Sequence, residues 1–171
     1  MIAALETPRL VLRPFTPEDA PFALRLLNEP SFLEHIGDKG VRDLEGARAY
    51  LEGGPLASYA RHGHGLMAVV LKATGAPIGM CGLLKRDTLP EPDLGYAFLP
   101  EAWGQGFALE AAQAVLAASP FSRLLAIVSP VNASSIRLLE KAGFAFLRRE
   151  AVHPGEPELA VYGWVAGPAG A

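Results

Sequence analysis

The stretch DLGYAFLPEAWGQGFALEAA, residues 93–112, decides how the rest of the chain is read. Asp93 to Leu99 has the look of a strand, and Pro100 stops it. Gly104-Gln105-Gly106 then leads into a helix expected from about Gly106 to Ser119. Ala108, Ala111, Ala112, Val115 and Leu116 recur there at helical spacing, a small-residue face that can lie close on a sheet. Glycines at the junction let successive backbone N–H groups converge, and the helix start adds about half a positive charge. The result is a cradle suited to a phosphate or pyrophosphate, or else a plain structural connector. It is not a Walker loop, since no Gly-Lys-Ser/Thr follows. Nor is it a dinucleotide fingerprint, which needs three glycines in the first βα unit of a parallel sheet.

Working outward, Leu66 to Leu71 and Ile78 to Leu84 are apolar runs joined by KATGAP, a hairpin signal. Further upstream, Arg9 to Phe15 alternates as a strand, with Leu10 and Leu12 on one face. Thr16-Pro17-Glu18-Asp19 starts a helix with a capping-box pattern and an apolar face of Phe22, Ala23, Leu26 and Leu27, although Pro21 fits poorly. Asn28 to Arg42 reads as a long connection. Asp43 caps a second helix carrying Leu44, Ala47, Tyr50 and Leu51, which Gly53-Gly54-Pro55 is expected to interrupt. Downstream, Leu124 to Val128 is a short buried strand and residues 133–142 a helix that Gly143 ends. Asn132 precedes that helix with Ser134 and Ser135 in its first turn, placed either to cap it or to bind something. Phe144 to His153 and Leu159 to Val165 form a closing antiparallel pair. The order predicts a mixed α/β domain, with a mainly antiparallel sheet and helices on both faces.

The chain has 171 residues, half of them hydrophobic, and a net charge of −3. That length fits one sizeable core, so a single domain over 1–171 is expected, its core spanning about 6–165 with the tail AGPAGA after it. The mild acidity argues against a nucleic-acid surface, which needs clustered Lys and Arg. Cys81 is the sole cysteine, excluding a disulfide framework and a Cys-rich zinc site, and in a strand it reads as a small buried residue. His35, His62, His64 and His153 are scattered, and no metal is expected; RHGHG around His62 and His64 reads as a solvated turn. The most apolar stretch, Ala108 to Phe121, is broken by Glu110, Gln113 and Pro120, well short of the ~20 residues of a membrane span. MIAALETPR has no positive charge ahead of its apolar start, unlike a signal peptide. A soluble, cytoplasmic protein is the expectation.

Four segments in order, TPRLVLRPFTPEDA, GAPIGMCGL, DLGYAFLPEAWGQGFALEA and NASSIRLLEKAGF, resemble the GCN5-related N-acetyltransferase (GNAT) superfamily. The resemblance runs from about Glu6 to Val165, and is strongest to the branch that acetylates N-terminal alanine or serine of ribosomal proteins. It implies a splayed sheet, acetyl-CoA as cosubstrate and an amine acceptor; dimers are frequent in the family. Its Gln/Arg-x-x-Gly-x-Gly/Ala pyrophosphate loop corresponds to Trp103, Gly104, Gln105, Gly106, Phe107 and Ala108, with Trp103 replacing the first polar residue. The resemblance also implies that the backbone of Phe98 and Leu99 pairs with the pantetheine arm, that Asn132 hydrogen-bonds it, and that Ser135 protonates the leaving thiolate. Two departures stand out. Leu139 occupies the position of the superfamily's acidic Tyr, and Ile127 that of a strand Glu. Asp93 is left as the base candidate, or else an ordinary strand-end carboxylate, and Tyr96 reads as core.

Deprotonating the acceptor sets the demand on such a site. At pH 7 it costs about 4.6 kcal/mol for a Lys side chain near pKa 10.4, but about 1.1 for an α-amine near 7.8. A chain lacking the Glu and Tyr is therefore better placed to acetylate a protein N-terminal α-amine. The alternatives are a small amine such as an amino acid, polyamine or antibiotic, or a non-catalytic acyl-CoA-binding module. Asn28 to Arg42 and the closing strands near His153 are expected to line the acceptor side.

Overall fold

The computed structural model describes residues 2–167. Four residues of the expected tail, 168–171, therefore lie outside the described residues. Eight strands form one sheet in the order β1-β2-β3-β4-β5-β6-β8-β7. They are β1 (Leu5–Glu6), β2 (Leu10–Pro14), β3 (Leu66–Leu71), β4 (Pro77–Leu84), β5 (Asp93–Phe98), β6 (Arg123–Val128), β7 (Ala145–Glu150) and β8 (Leu159–Val165). Every pairing is antiparallel except β5 with β6. The helices are α1 (Ala20–Leu27), α2 (Pro30–His35), α3 (Leu44–Leu51), α4 (Ala57–His62), α5 (Phe107–Ala118) and α6 (Ala133–Lys141).

Alternation along the strands divides the core in two. Leu10, Leu12, Val69, Cys81 and Leu94 pack with Ala111, Ala112 and Val115 of α5 on one face. Ala68 and Met80 pack with Leu26, Leu27, Ala47 and Leu51 of α1 and α3 on the other. The expected mixed α/β architecture, with helices on both faces of a mainly antiparallel sheet, is what the chain adopts. Cys81 is fully buried between strands, and burial pushes its thiol up to about 12, so it is an apolar filler.

Three local expectations differ. The expected connection Asn28–Arg42 contains α2, which Pro30 starts and which drives Phe32 into the second core. Gly53-Gly54-Pro55 does not break the helical path. A π turn over Glu52–Leu56 carries it from α3 into α4. Proline has no N–H for the ordinary ladder, and the wider turn accommodates its ring while Pro55 is buried. His62 closes α4 and Gly63 follows at φ +75°, while His64 Nδ1 lies 2.9 Å from the Leu83 carbonyl rather than in solvent.

Candidate active site

The site begins where the sheet fails to close. β5 and β6 are in register only at Asp93 opposite Leu125, where the Leu125 N–H also donates to the Pro92 carbonyl at 2.9 Å. Beyond that point the strands diverge and open a cleft of about 1000 Å³. The Leu99 N–H donates to the Ile78 carbonyl at 2.9 Å, and ladder alternation then turns the backbone of Tyr96 and Phe98 away from β4, toward the gap. Of the two residues expected to offer backbone there, Leu99 is engaged on both sides, its carbonyl accepting from Ala102 at 2.9 Å. Phe98 keeps its N–H toward the gap, while its carbonyl accepts from Trp103 Nε1 at 3.0 Å.

The glycine turn closes one end of the cleft. Trp103 N–H donates to Pro100, and Glu110 N–H donates to Gly106. Between them, the amides of Gly104, Gln105, Gly106, Phe107, Ala108 and Leu109 find no acceptor among the described residues. Gly104 and Gly106 hold φ of +74° and +82°, a left-handed region that lets the chain double back at the start of α5. Gly106 is the N-cap and supplies no side-chain acceptor, so the first turn of α5 keeps its donors for something else.

Asn132 caps α6, its Oδ1 accepting from the Ser135 N–H at 3.3 Å and from Ser134 Oγ at 3.2 Å. Its side-chain NH₂ has no partner among the described residues and lines the cleft. Ser135 Oγ is 2.5 Å from Tyr96 Oη. Tyr96 packs against the core, as expected, and is also a wall of the cleft. The signal was its parity with Leu94 and Phe98, which puts it on the α5–α6 face of β5. Burial pushes the Tyr96 phenol up to about 12, against the lowering effect of the Ser135 bond, so it carries its proton at neutral pH.

Asp93 points to the opposite face of β5 and is not brought to Ser135. It is fully buried, and Arg86 Nε lies 3.1 and 3.2 Å from its two oxygens. Burial raises its pKa, opposed by the charge and hydrogen bond of Arg86. Arg86 was not singled out in the sequence because it sits in a turn with no motif of its own. Phe32, His35 and Lys39 from one segment and His153 and Glu156 from another also line the cleft. Among the described residues, no group of three or more His, Cys, Asp or Glu could hold a metal ion, and no helix is long and apolar enough to cross a membrane.

The chain matches the family described as "Acetyltransferase (GNAT) domain" over residues 9–145. It belongs to the GNAT acetyltransferases. Among its relatives, the uncharacterized N-acetyltransferase YoaA of Bacillus subtilis (strain 168) is 29% identical over 150 residues, covering 84% of both chains. An acetyltransferase from Agrobacterium tumefaciens str. C58 superposes with a TM-score of 0.81 at 29% identity, over 97% of this chain and 96% of that one. RimL, a ribosomal L7/L12 α-N-protein acetyltransferase solved with coenzyme A, shares the fold at a TM-score of 0.79 and 15% identity, over 95% of this chain and 98% of its own. The protein is thus an acetyl-CoA-dependent acetyltransferase of the GNAT family. The features present fit the cosubstrate, since a free row of amides suits a pyrophosphate and an unpaired strand edge suits an amide-bearing arm.

Proposed function

We propose that the protein transfers the acetyl group of acetyl-CoA to a protein N-terminal α-amine. The observation that carries this reading is the run of unpartnered amides from Gly104 to Leu109, beside a gap faced by the Tyr96–Ser135 pair. In this reading Gly104 to Ala108 hold the pyrophosphate, with Trp103 anchoring the turn to β5. The Phe98 N–H and the Asn132 side-chain amide bind the pantetheine arm. A neutral amine attacks the thioester carbonyl, its C–N bond forms, and the C–S bond breaks to release coenzyme A as thiolate. Ser135 gives the thiolate its proton, and Tyr96 donates to Ser135 Oγ behind it. The amine's proton leaves through water toward Asp93, whose affinity for it burial raises.

The α-amine is favoured because it asks least of a site without the superfamily's Glu and Tyr. The fold shared with a ribosomal-protein α-N-acetyltransferase is compatible with it. Thiol release would be followed with short peptides bearing free N-termini, with N-blocked lysine peptides and with amino acids, polyamines and aminoglycosides. Turnover on free N-termini supports the reading, and turnover confined to small amines overturns the acceptor while keeping the reaction. Binding of acetyl-CoA with no turnover on any amine would mark a binding module. Asp93→Asn should abolish the acid limb of the kcat/KM profile; a change confined to acceptor KM would reduce Asp93 to holding Arg86.

A further inference from the structure

The TPRL segment near the N-terminus takes no part in the chemistry above, yet the fold carries it to the glycine turn. Arg9 Nη1 donates to the Gln105 carbonyl at 2.9 Å, and its Nε donates to Glu110 Oε1 at 2.8 Å. The Arg9 N–H also donates to Glu110 Oε2 at 3.1 Å, and Thr7 Oγ1 donates to the same oxygen at 2.5 Å. The guanidinium carbon stands 4.3 Å over the centre of the Phe107 ring. A Cβ built on Gly106 would meet Arg9 Nη2 at 3.4 Å.

We propose that Arg9 is a positioning residue for the pyrophosphate turn, orienting its amides from behind. The peptide joining Gln105 to Gly106 is planar and trans, so its C=O and N–H point opposite ways. Holding the Gln105 carbonyl against Arg9 therefore aims the Gly106 N–H away from Arg9. The turn needs an outside hold because Gly104 and Gly106 are its least restricted residues and no side chain caps α5. Glu110 already accepts from Arg9 and largely neutralises it, which suits a clamp better than a direct phosphate ligand. Lysine lacks the fork that spans a carbonyl and a carboxylate together.

This inference rests on Gly104–Ala108 holding the pyrophosphate, and the test separates the two. Arg9→Met, Arg9→Lys and Gly106→Val would be compared with wild type by calorimetry with coenzyme A. Turnover of acetyl-CoA and of acetyl-pantetheine, which has no pyrophosphate, would be measured alongside. Arg9→Met should bind coenzyme A about tenfold more weakly, the loss of one charge-assisted hydrogen bond. Its kcat at saturating acetyl-CoA and its use of acetyl-pantetheine should stay near wild type, and Arg9→Lys should recover only part of the affinity. A folded Arg9→Met with wild-type affinity, or with equal losses on both thioesters, overturns the positioning role. Wild-type affinity in Gly106→Val overturns the pyrophosphate turn itself. If Arg9→Met does not fold, Glu110→Gln loosens the clamp with little change of shape; it should show a smaller loss confined to acetyl-CoA, and no such loss would refute the clamp.

Discussion

Ser135 and Tyr96 show how much one hydrogen bond changes the reading of two residues. Ser135 alone is a first-turn serine, and Tyr96 alone is a strand aromatic; joined, they form a hydrogen-bonded hydroxyl pair lining the cleft. Ser135→Ala should lower kcat about 100-fold, the low end for losing a positioned acid, with acetyl-CoA KM little changed. Tyr96→Phe should lower kcat by a smaller factor. Since the phenol sits at about 12, wild-type kcat should show no Tyr96 ionisation up to pH 9. Steady-state kinetics across pH on folded variants would decide; unchanged kcat in Ser135→Ala returns the serine to capping. A second residue-scale prediction concerns Asp19. Burial raises its pKa, but the hydrogen bonds from Arg13 and Thr16 and the charge of Arg13 outweigh that, and the net shift is down from 3.8. Its carboxylate thus stabilises the fold above the unfolded pKa, and that contribution is lost as pH falls through the lower folded value. Asp19→Asn should melt earlier at neutral pH and show a shallower loss of Tm below pH 4. Parallel Tm–pH curves for the two proteins would contradict this.

At the scale of elements, the junction of β5, the glycine turn and α5 was legible because turn chemistry is local. Pro100, Gly104 and Gly106 can be placed without knowing the rest of the fold. The structure adds that Gly106 lies at φ +82°, so any β-branched side chain strains it whatever space is open. Gly106→Val should weaken acetyl-CoA binding by at least ~1.4 kcal/mol, or tenfold. Gln105→Ala should do much less, because its backbone donor and carbonyl remain. Equal losses in the two variants, read by calorimetry, would argue against amide donors. Asn132→Ala should lower stability by about 0.5–2 kcal/mol through the lost cap and also raise acetyl-CoA KM. A stability loss with KM unchanged would leave Asn132 a cap only. The π turn shows the converse limit. Gly53-Gly54-Pro55 has the composition of a helix end, but burying Pro55 against its surroundings keeps the path helical. Local propensity is overridden by packing there.

At the scale of the whole molecule, the cleft is a property of two strands that pair at one end and part at the other. Coenzyme A should bind and raise Tm, whereas NAD and ATP should bind weakly, because the turn has the marks of neither nucleotide site. Calorimetry with the three ligands tests this, and ATP binding as tightly as coenzyme A would contradict it. Alternating and helical periodicity, the glycine turn and the Asn132 cap are local features, governed by backbone sterics and side-chain spacing. By themselves they determined the mixed α/β class and the order of the longer strands and helices, but not β1, α2 or α4. Contacts between residues far apart in the chain leave no periodic trace. Only the tertiary structure decided that Tyr96 meets Ser135, that Arg86 clamps Asp93, and that Arg9 reaches across about a hundred positions to the glycine turn. Such pairs arise from strand order and register, which set what faces what across the sheet and its gap.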